Sequence, residues 1–136
     1  MSINEYDHIG GDEMELTQVI KALSDETRLR ILNLLRHGEL CVCELEVLLD
    51  INQSNASRHL NRLANAKILE SDKRAQYVYY KINEDMLREY TFIREILENE
   101  LIKEDLYNTD LERLRTYRES GASCDNLKDG KVCFDN

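Results

Sequence analysis

Several features are missing from this chain, and each absence narrows what it can be. No apolar run approaches the ~18 residues that a bilayer span requires, so no segment is expected to cross a membrane. The opening residues, MSINEYDHIGGDE, hold neither a basic cluster nor an apolar core, which argues against a secretion signal and for a cytoplasmic protein. There is no glycine-rich phosphate loop, no carboxylate pair with helical support for acid–base work and no usable Ser/His/Asp arrangement. An enzyme is therefore not expected, nor an organic cofactor. An excess of positive charge is lacking too: the net charge is −9, whereas phosphate neutralisation normally supplies most of the non-specific affinity for nucleic acid.

The distribution of charge answers part of that objection. Between Asn52 and Ile82 six cations (Arg58, Arg62, Lys67, Lys73, Arg74, Lys81) stand against two anions (Glu70, Asp72), so the acidity lies elsewhere. Such a chain would bind nucleic acid through one face only. With 136 residues, 42% hydrophobic and 33% charged, it suits one globular domain with a single core.

Within the basic stretch lies a helix with a readable face. Asn52 is a good N-cap, its side chain able to accept from the unpaired amides of the first turn. At about 100° per residue, Ala56, Leu60, Leu63 and Ala64 share one stripe, Ser54, Arg58, Asn61, Arg62 and Asn65 lie opposite, and Asn55 and Ser57 flank them. An apolar-backed helix presenting Ser, Asn, Gln and Arg suits base edges and phosphates in a major groove. Gln53, Ser54, Asn55, Ser57, Arg58, His59 and Arg62 are the candidate contacts, with His59, at the edge of the stripe, assigned to packing or to a phosphate.

Residues 1–11 end in Gly10-Gly11 and are expected to form a mobile arm, with His8 solvated. From Asp12 to Leu23 the spacing of Leu16, Val19, Ile20 and Leu23 predicts a first helix with one buried stripe. Ser24 is expected to cap a second, with Asp25 and Glu26 in its first turn and His37-Gly38 closing it. Ile31, Leu32, Leu34 and Leu35 make that helix apolar on several sides and central to the core. A third, from about Glu44 to Leu49, turns through Asp50-Ile51-Asn52 into the polar-faced helix, a helix-turn-helix. Ile68 to Ser71 and Tyr77 to Ile82 read as strands joined by the loop DKRAQ, a wing with Lys73 and Arg74 placed for phosphates or the minor groove.

Beyond the wing, Asn83 caps a helix in which Met86, Tyr90, Ile93, Leu97 and Leu101 form nearly a heptad seam. A stripe that long exceeds what a small core covers, so this helix is expected to be a dimer interface, packing on the partner's first helix. Thr109 and Glu112 look like a capping box for a last helix with Leu111, Leu114 and Tyr117, ended by Gly121. The expected fold is mainly α with a small β-hairpin wing, a winged helix-turn-helix homodimer. Residues 12–120 form its DNA-binding and dimerisation domain, and 121–136 a cysteine-containing tail.

In a reducing cytoplasm four cysteines, Cys41, Cys43, Cys124 and Cys133, favour metal or redox chemistry over a disulfide framework. On a regular helix residues i and i+2 point about 200° apart, whereas in an extended segment they project from one face. Cys41 and Cys43 are expected to precede the third helix, so their sulfurs can converge. Cys43, at the helix N-terminus, should have a lowered thiol pKa, and soft thiolates select soft ions.

Ser54 to Leu60 (SNASRHL), with Leu63 behind it, resembles the recognition helix of the ArsR/SmtB family of winged-helix repressors. Leu23 to Ile31 (LSDETRLRI), Gly38 to Leu45 (GELCVCEL) and Tyr77 to Ile82 (YVYYKI) stand at family spacing, so the resemblance covers roughly residues 13–105. Glu39 to Leu45 (ELCVCEL) is similar to the metalloid-binding motif of the arsenical-resistance repressors. The resemblance implies a repressor that binds double-stranded operator DNA when empty and leaves it when arsenic(III) or antimony(III), the inducer, binds its cysteines. Two reading helices about 34 Å apart would imply an imperfect palindrome.

Three departures qualify it. The family usually has glycine where Lys67 stands; a left-handed lysine costs about 1 kcal/mol, so the helix is expected to end differently here. Some members bind zinc between their long C-terminal helices through Asp, His and Glu, yet no histidine follows His59, so that site is not expected. In some relatives a third cysteine occupies the place of Glu46, and a carboxylate is a hard, poor substitute on a soft centre. Trivalent arsenic takes three sulfurs, so Cys124 or Cys133 is expected to complete the site, from the same or the partner subunit. If both join, four thiolates suit tetrahedral zinc or cadmium. The alternatives are a cadmium-, lead- or zinc-responsive repressor, or a thiol-redox-responsive one, of the same fold.

Overall fold

The computed structural model describes residues 15–128; the expected N-terminal arm, His8 and Cys133 lie outside the described residues. Its helices are α1 (Leu16–Leu23), α2 (Glu26–Leu35), α3 (Val42–Leu49), α4 (Gln53–Asn65), α5 (Glu84–Glu89), α6 (Thr91–Glu95), α7 (Asp105–Glu119) and α8 (Cys124–Lys128). The strands are β1 (Leu40–Cys41), β2 (Leu69–Arg74) and β3 (Tyr77–Ile82), in the order β1-β3-β2, all antiparallel. The hairpin is the expected wing, but its sheet has a third strand. Leu40 pairs with Tyr80 and Cys41 with Tyr79, so the first cysteine belongs to the wing's own ladder.

α2 runs through the centre, with Ile31, Leu32, Leu34 and Leu35 all buried. Its N-cap is Asp25, whose carboxylate accepts from the Arg28 amide at 3.1 Å; Ser24 instead closes α1, donating its own amide to the Lys21 carbonyl. Two polar bonds fix α7 against α2. Arg30 grips the buried Asp110 bidentately at 2.7 and 2.9 Å, and the buried Asn33 donates to the Tyr107 carbonyl at 3.0 Å. A desolvated charge is tolerable only when paired this fully. α7 starts at Asp105, so Thr109 lies inside the helix and caps nothing.

The helix after the wing departs from expectation. It breaks at Tyr90 (φ −118°, ψ 82°), restarts as α6, widens into a π-helical turn over Ile96–Glu100 and tightens into a 3₁₀ turn over Leu101–Lys103. The breaks swing its apolar seam inward, and Met86, Ile93, Leu97 and Leu101 are buried in the chain's own core. The seam therefore leaves little surface for a partner. Among the described residues the large apolar side chains that remain exposed are Leu16 (53%), Ile20 (48%) and Ile102 (48%), so the first helix carries an open apolar face; two of its expected stripe residues point outward.

α4 ends as a glycine would end it. Lys67 is left-handed (φ 66°), its amide bonds the Ala64 carbonyl at 2.9 Å and that of Ile68 bonds Leu63 at 3.0 Å, the paired bonds of a Schellman turn. The expectation of a different ending fails because Ile68 is fully buried and Asn83 clasps the Lys67 carbonyl at 3.0 Å; burial and these bonds outweigh the steric cost. Lys67→Gly should relieve that cost and raise stability by about 1 kcal/mol, or roughly 4 °C in Tm for a domain of this size. Thermal unfolding followed by circular dichroism measures it, and a lowered Tm would contradict the account.

Candidate thiol site and nucleic-acid interface

Cys41 is where a strand becomes a helix. Its backbone is extended (φ −89°, ψ 168°) and its amide, free of the ladder, is capped by the Glu44 carboxylate at 2.8 Å. Because helical geometry starts only at Val42, the i, i+2 rule for helices does not apply, and Cys43 from the first turn brings its sulfur to 3.0 Å from that of Cys41. The sequence expectation placed both thiols ahead of the helix; only one is, and they converge nonetheless. A third sulfur arrives from α8, which packs on α3: the Sγ atoms of Cys41, Cys43 and Cys124 all lie within 4.8 Å of one another.

Cys41 and Cys124 are joined as a disulfide. Their Cα atoms stand 7.3 Å apart, wider than the roughly 4.4–6.8 Å usual for a direct bridge. Both are buried; Cys43 is the free, half-buried thiol. Its expected acidity is reversed. Burial, and then the Glu44 carboxylate beside it, push the Cys43 thiol up to about 11, more than backbone hydrogen bonds in the helix's first turn offset. Position at a helix N-terminus is thus a weaker influence here than desolvation.

The surroundings of the thiols were not visible in the sequence. The Tyr117 hydroxyl, on α7, donates to the second oxygen of the buried Glu44, while burial and that carboxylate raise its own pKa. At the other end of α3, Arg113 donates to the carbonyls of Leu48 (2.9 Å) and Val47 (3.0 Å) in the helix's last turn, Val47 also accepting from the Asp50 amide at 3.3 Å. α7 thus holds α3 at both ends. The spacing Cys41–Glu44 is that of a capping box, a signal that could have found Glu44; Tyr117 and Arg113 carry none.

α4 places its two faces as expected. The Asn52 side chain accepts from the Asn55 amide at 2.8 Å, Ala56, Leu60 and Leu63 are buried, and Gln53, Ser54, Arg58, Asn61, Arg62 and Asn65 are exposed. Asn55 and Ser57 are half-buried, and Arg58 donates to Asn55 at 3.0 Å. His59 is different: it is 5% exposed, with Nδ1 3.1 Å from a guanidinium nitrogen of the buried Arg28. Arginine only donates, so this Nδ1 accepts and carries no proton. Burial, with Arg58, Arg28 and Arg62 nearby, lowers the His59 pKa against the opposing pull of Asp25. Of its two expected roles the structure places it in packing. Arg28 also bonds the Ala22 (2.6 Å) and Lys21 (3.2 Å) carbonyls, tying the end of α1 to the reading helix.

On the wing, Lys73 is exposed, whereas Arg74 pairs with Glu39 and Asp72 and lies 3.9 Å above the Tyr79 ring. Phosphate contact by Arg74 would have to compete with those carboxylates.

A helix-turn-helix with an outward polar, basic second helix, followed by a β-hairpin, defines a winged-helix DNA-binding protein. Residues 25–71 match the model of the bacterial regulatory protein arsR family. The chain is 30% identical over 117 residues to an arsenical resistance operon repressor of Staphylococcus xylosus, covering 86% of this chain and 95% of that one. It is 45% identical over 69 residues to an arsenic resistance transcriptional regulator of Pseudomonas putida, and 36% over 77 residues to a cadmium resistance regulatory protein homologue of Staphylococcus aureus. Those two matches span 50% and 56% of this chain, and 54% and 64% of the relatives' own lengths. Among solved structures, the homodimeric winged helix-turn-helix DNA-binding domain from Mycobacterium bovis superposes with a TM-score of 0.54 at 30% identity, covering 60% of this chain and 76% of that one. The chain belongs to the arsR family of bacterial regulatory proteins; its relatives are transcriptional regulators and not enzymes. Among the described residues no helix is long and apolar enough to cross a membrane.

With Cys41 and Cys124 joined, alkylation of Cys43 by iodoacetamide should rise about tenfold per pH unit well past the ordinary thiol range, because only the thiolate reacts. Rates read by mass spectrometry that level off near pH 8.5, the approximate value for an unperturbed thiol, would contradict the burial effect.

Proposed function

We propose that this chain is a metalloid-responsive repressor that holds operator DNA when its thiols are free and releases it when they bind trivalent arsenic or antimony. The observation that carries the reading is the meeting of Cys41, Cys43 and Cys124 at the start of the helix that leads into the reading helix. Reduction of the Cys41–Cys124 bond, with two electrons and two protons, yields two thiols beside that of Cys43, a set of three soft donors. Such a set fits a soft, three-coordinate centre, and the wide Cα spacing of Cys41 and Cys124 is one that sulfurs sharing an ion also span. The bound metalloid would supply affinity for three thiolates at once. Cys133 stays a candidate fourth donor, which would turn the preference towards tetrahedral zinc or cadmium.

In this reading Gln53, Ser54, Asn55, Ser57, Arg58 and Arg62 face the operator, Lys73 reaches its backbone, and His59 with Arg28 sets the angle of the helix. Residues 12–120 form the DNA-binding and dimerisation domain, and the 121–136 tail supplies the third thiol. Exposed Leu16 and Ile20 on α1, together with the homodimeric relative, support a homodimer and hence an imperfectly palindromic operator. Rearranging the Cys41 and Cys43 sulfurs, 3.0 Å apart, around an ion shared with Cys124 would distort the first turn of α3, and a coupling of about 1–3 kcal/mol suffices for a 5- to 150-fold loss of DNA affinity.

The Cys41–Cys124 bond favours a second reading, in which peroxide oxidises these thiols and so releases DNA. One set of titrations separates the two. Cys41→Ser, Cys43→Ser and Cys124→Ser should each keep operator binding and lose release by arsenite. Release of Cys41→Ser or Cys43→Ser at wild-type arsenite concentrations would sink the first reading. Arsenite without effect, but release by peroxide reversed by a dithiol, would establish the second.

A further inference from the structure

We propose that the wing is a second output of the thiol site, and that Tyr77 and Asp125 are positioning residues that carry ligation at Cys124 to it. This rests on the reading that Cys41, Cys43 and Cys124 bind the inducer. Three ties run from the sulfurs to the hairpin. Cys41 is itself a residue of the sheet, paired with Tyr79 of β3, so a turn of its backbone is felt in the ladder. The Tyr79 ring carries the Arg74 guanidinium at 3.9 Å, and Arg74 reaches back to Glu39, two residues before Cys41. From the far side, the Tyr77 hydroxyl donates to the carboxylate of Asp125, the residue next to Cys124.

The third tie is the one that an ion would act on most directly. α8 is only five residues long, and its first two hold a thiol of the site and the acceptor for the wing. Neighbouring residues on one short helix cannot move separately, so moving the Cys124 sulfur from its bond with Cys41 to a place around an ion shared with Cys41 and Cys43 displaces Asp125 as well. Tyr77 opens β3 just after the Ala75-Gln76 turn and pairs with Arg74, so the pull arrives near the tip, beside Lys73. Five of the six residues of β2 are exposed, so little packing resists it. The reading helix and the hairpin would touch DNA at different places. A site that shifts both discards more affinity than one that shifts the helix alone.

The test uses the full reduced chain, the operator fragment that wild type binds, and arsenite as the probe. Wild type, Tyr77→Phe, Asp125→Ala and the double variant are compared by arsenite affinity, operator affinity with and without arsenite, and amide hydrogen exchange over residues 69–82. Arsenite should change wing exchange in wild type and not in the variants. Arsenite affinity and arsenite-free operator affinity should stay within about twofold, while the ratio of operator affinities without and with arsenite falls by about threefold or more, no further in the double variant than in the singles. Variants with the full ratio and wild-type wing exchange would overturn the inference. So would arsenite-loaded wild type with an unchanged wing, which leaves the functional reading standing; a wild type that does not bind arsenite at all overturns both.

Discussion

The junction at Cys41 governs this structure. One residue ends a strand, opens a helix and offers a sulfur, and each task constrains the others. Its backbone must be extended to pair with Tyr79; that extension is what lets Cys43, one residue into the helix, bring a second sulfur alongside. The amide left over at the turn is answered by Glu44, which is also held by Tyr117. A buried carboxylate with two donors is a rigid fixture, and it fixes the place of the thiols relative to α7.

That arrangement gives the C-terminal segment a structural part in the domain. Arg30–Asp110 and Asn33–Tyr107 lock α7 to the central helix, Arg113 and Tyr117 clasp α3 at either end, and α8 lays Cys124 beside the other thiols. The helix carrying the candidate ligands is therefore braced by α7 and α8, and continues through the left-handed Asp50 into the reading helix. A change at its first turn has few outlets other than α4 and the wing.

Features with a strong local period were legible in the sequence. The apolar stripe and Asn52 cap of α4 and the all-round apolar character of α2 carried through because burial and local propensity agree there. What was misread depends on contacts far along the chain. Nothing near Tyr90 marks a break, since neither glycine nor proline occurs there; the break arises because the seam fits this chain's own core. Lys67 was expected to avoid a left-handed turn, but burial of Ile68 decides otherwise. The pairing of Arg74 with Glu39, 35 residues away, likewise has no local signal, and a phosphate would have to compete with it. The thiol pKa of Cys43 was judged from the helix terminus, whereas burial dominates. The tail offered no period that would place Cys124; only the packing of α8 on α3 brings it to the site.

Whether that placement is functional is decided by counting sulfurs. Arsenic-edge X-ray absorption of the reduced full chain carrying one equivalent of arsenite should give three sulfur neighbours in wild type, and two sulfurs with one oxygen in Cys124→Ser. Three sulfurs retained without Cys124 would contradict the account.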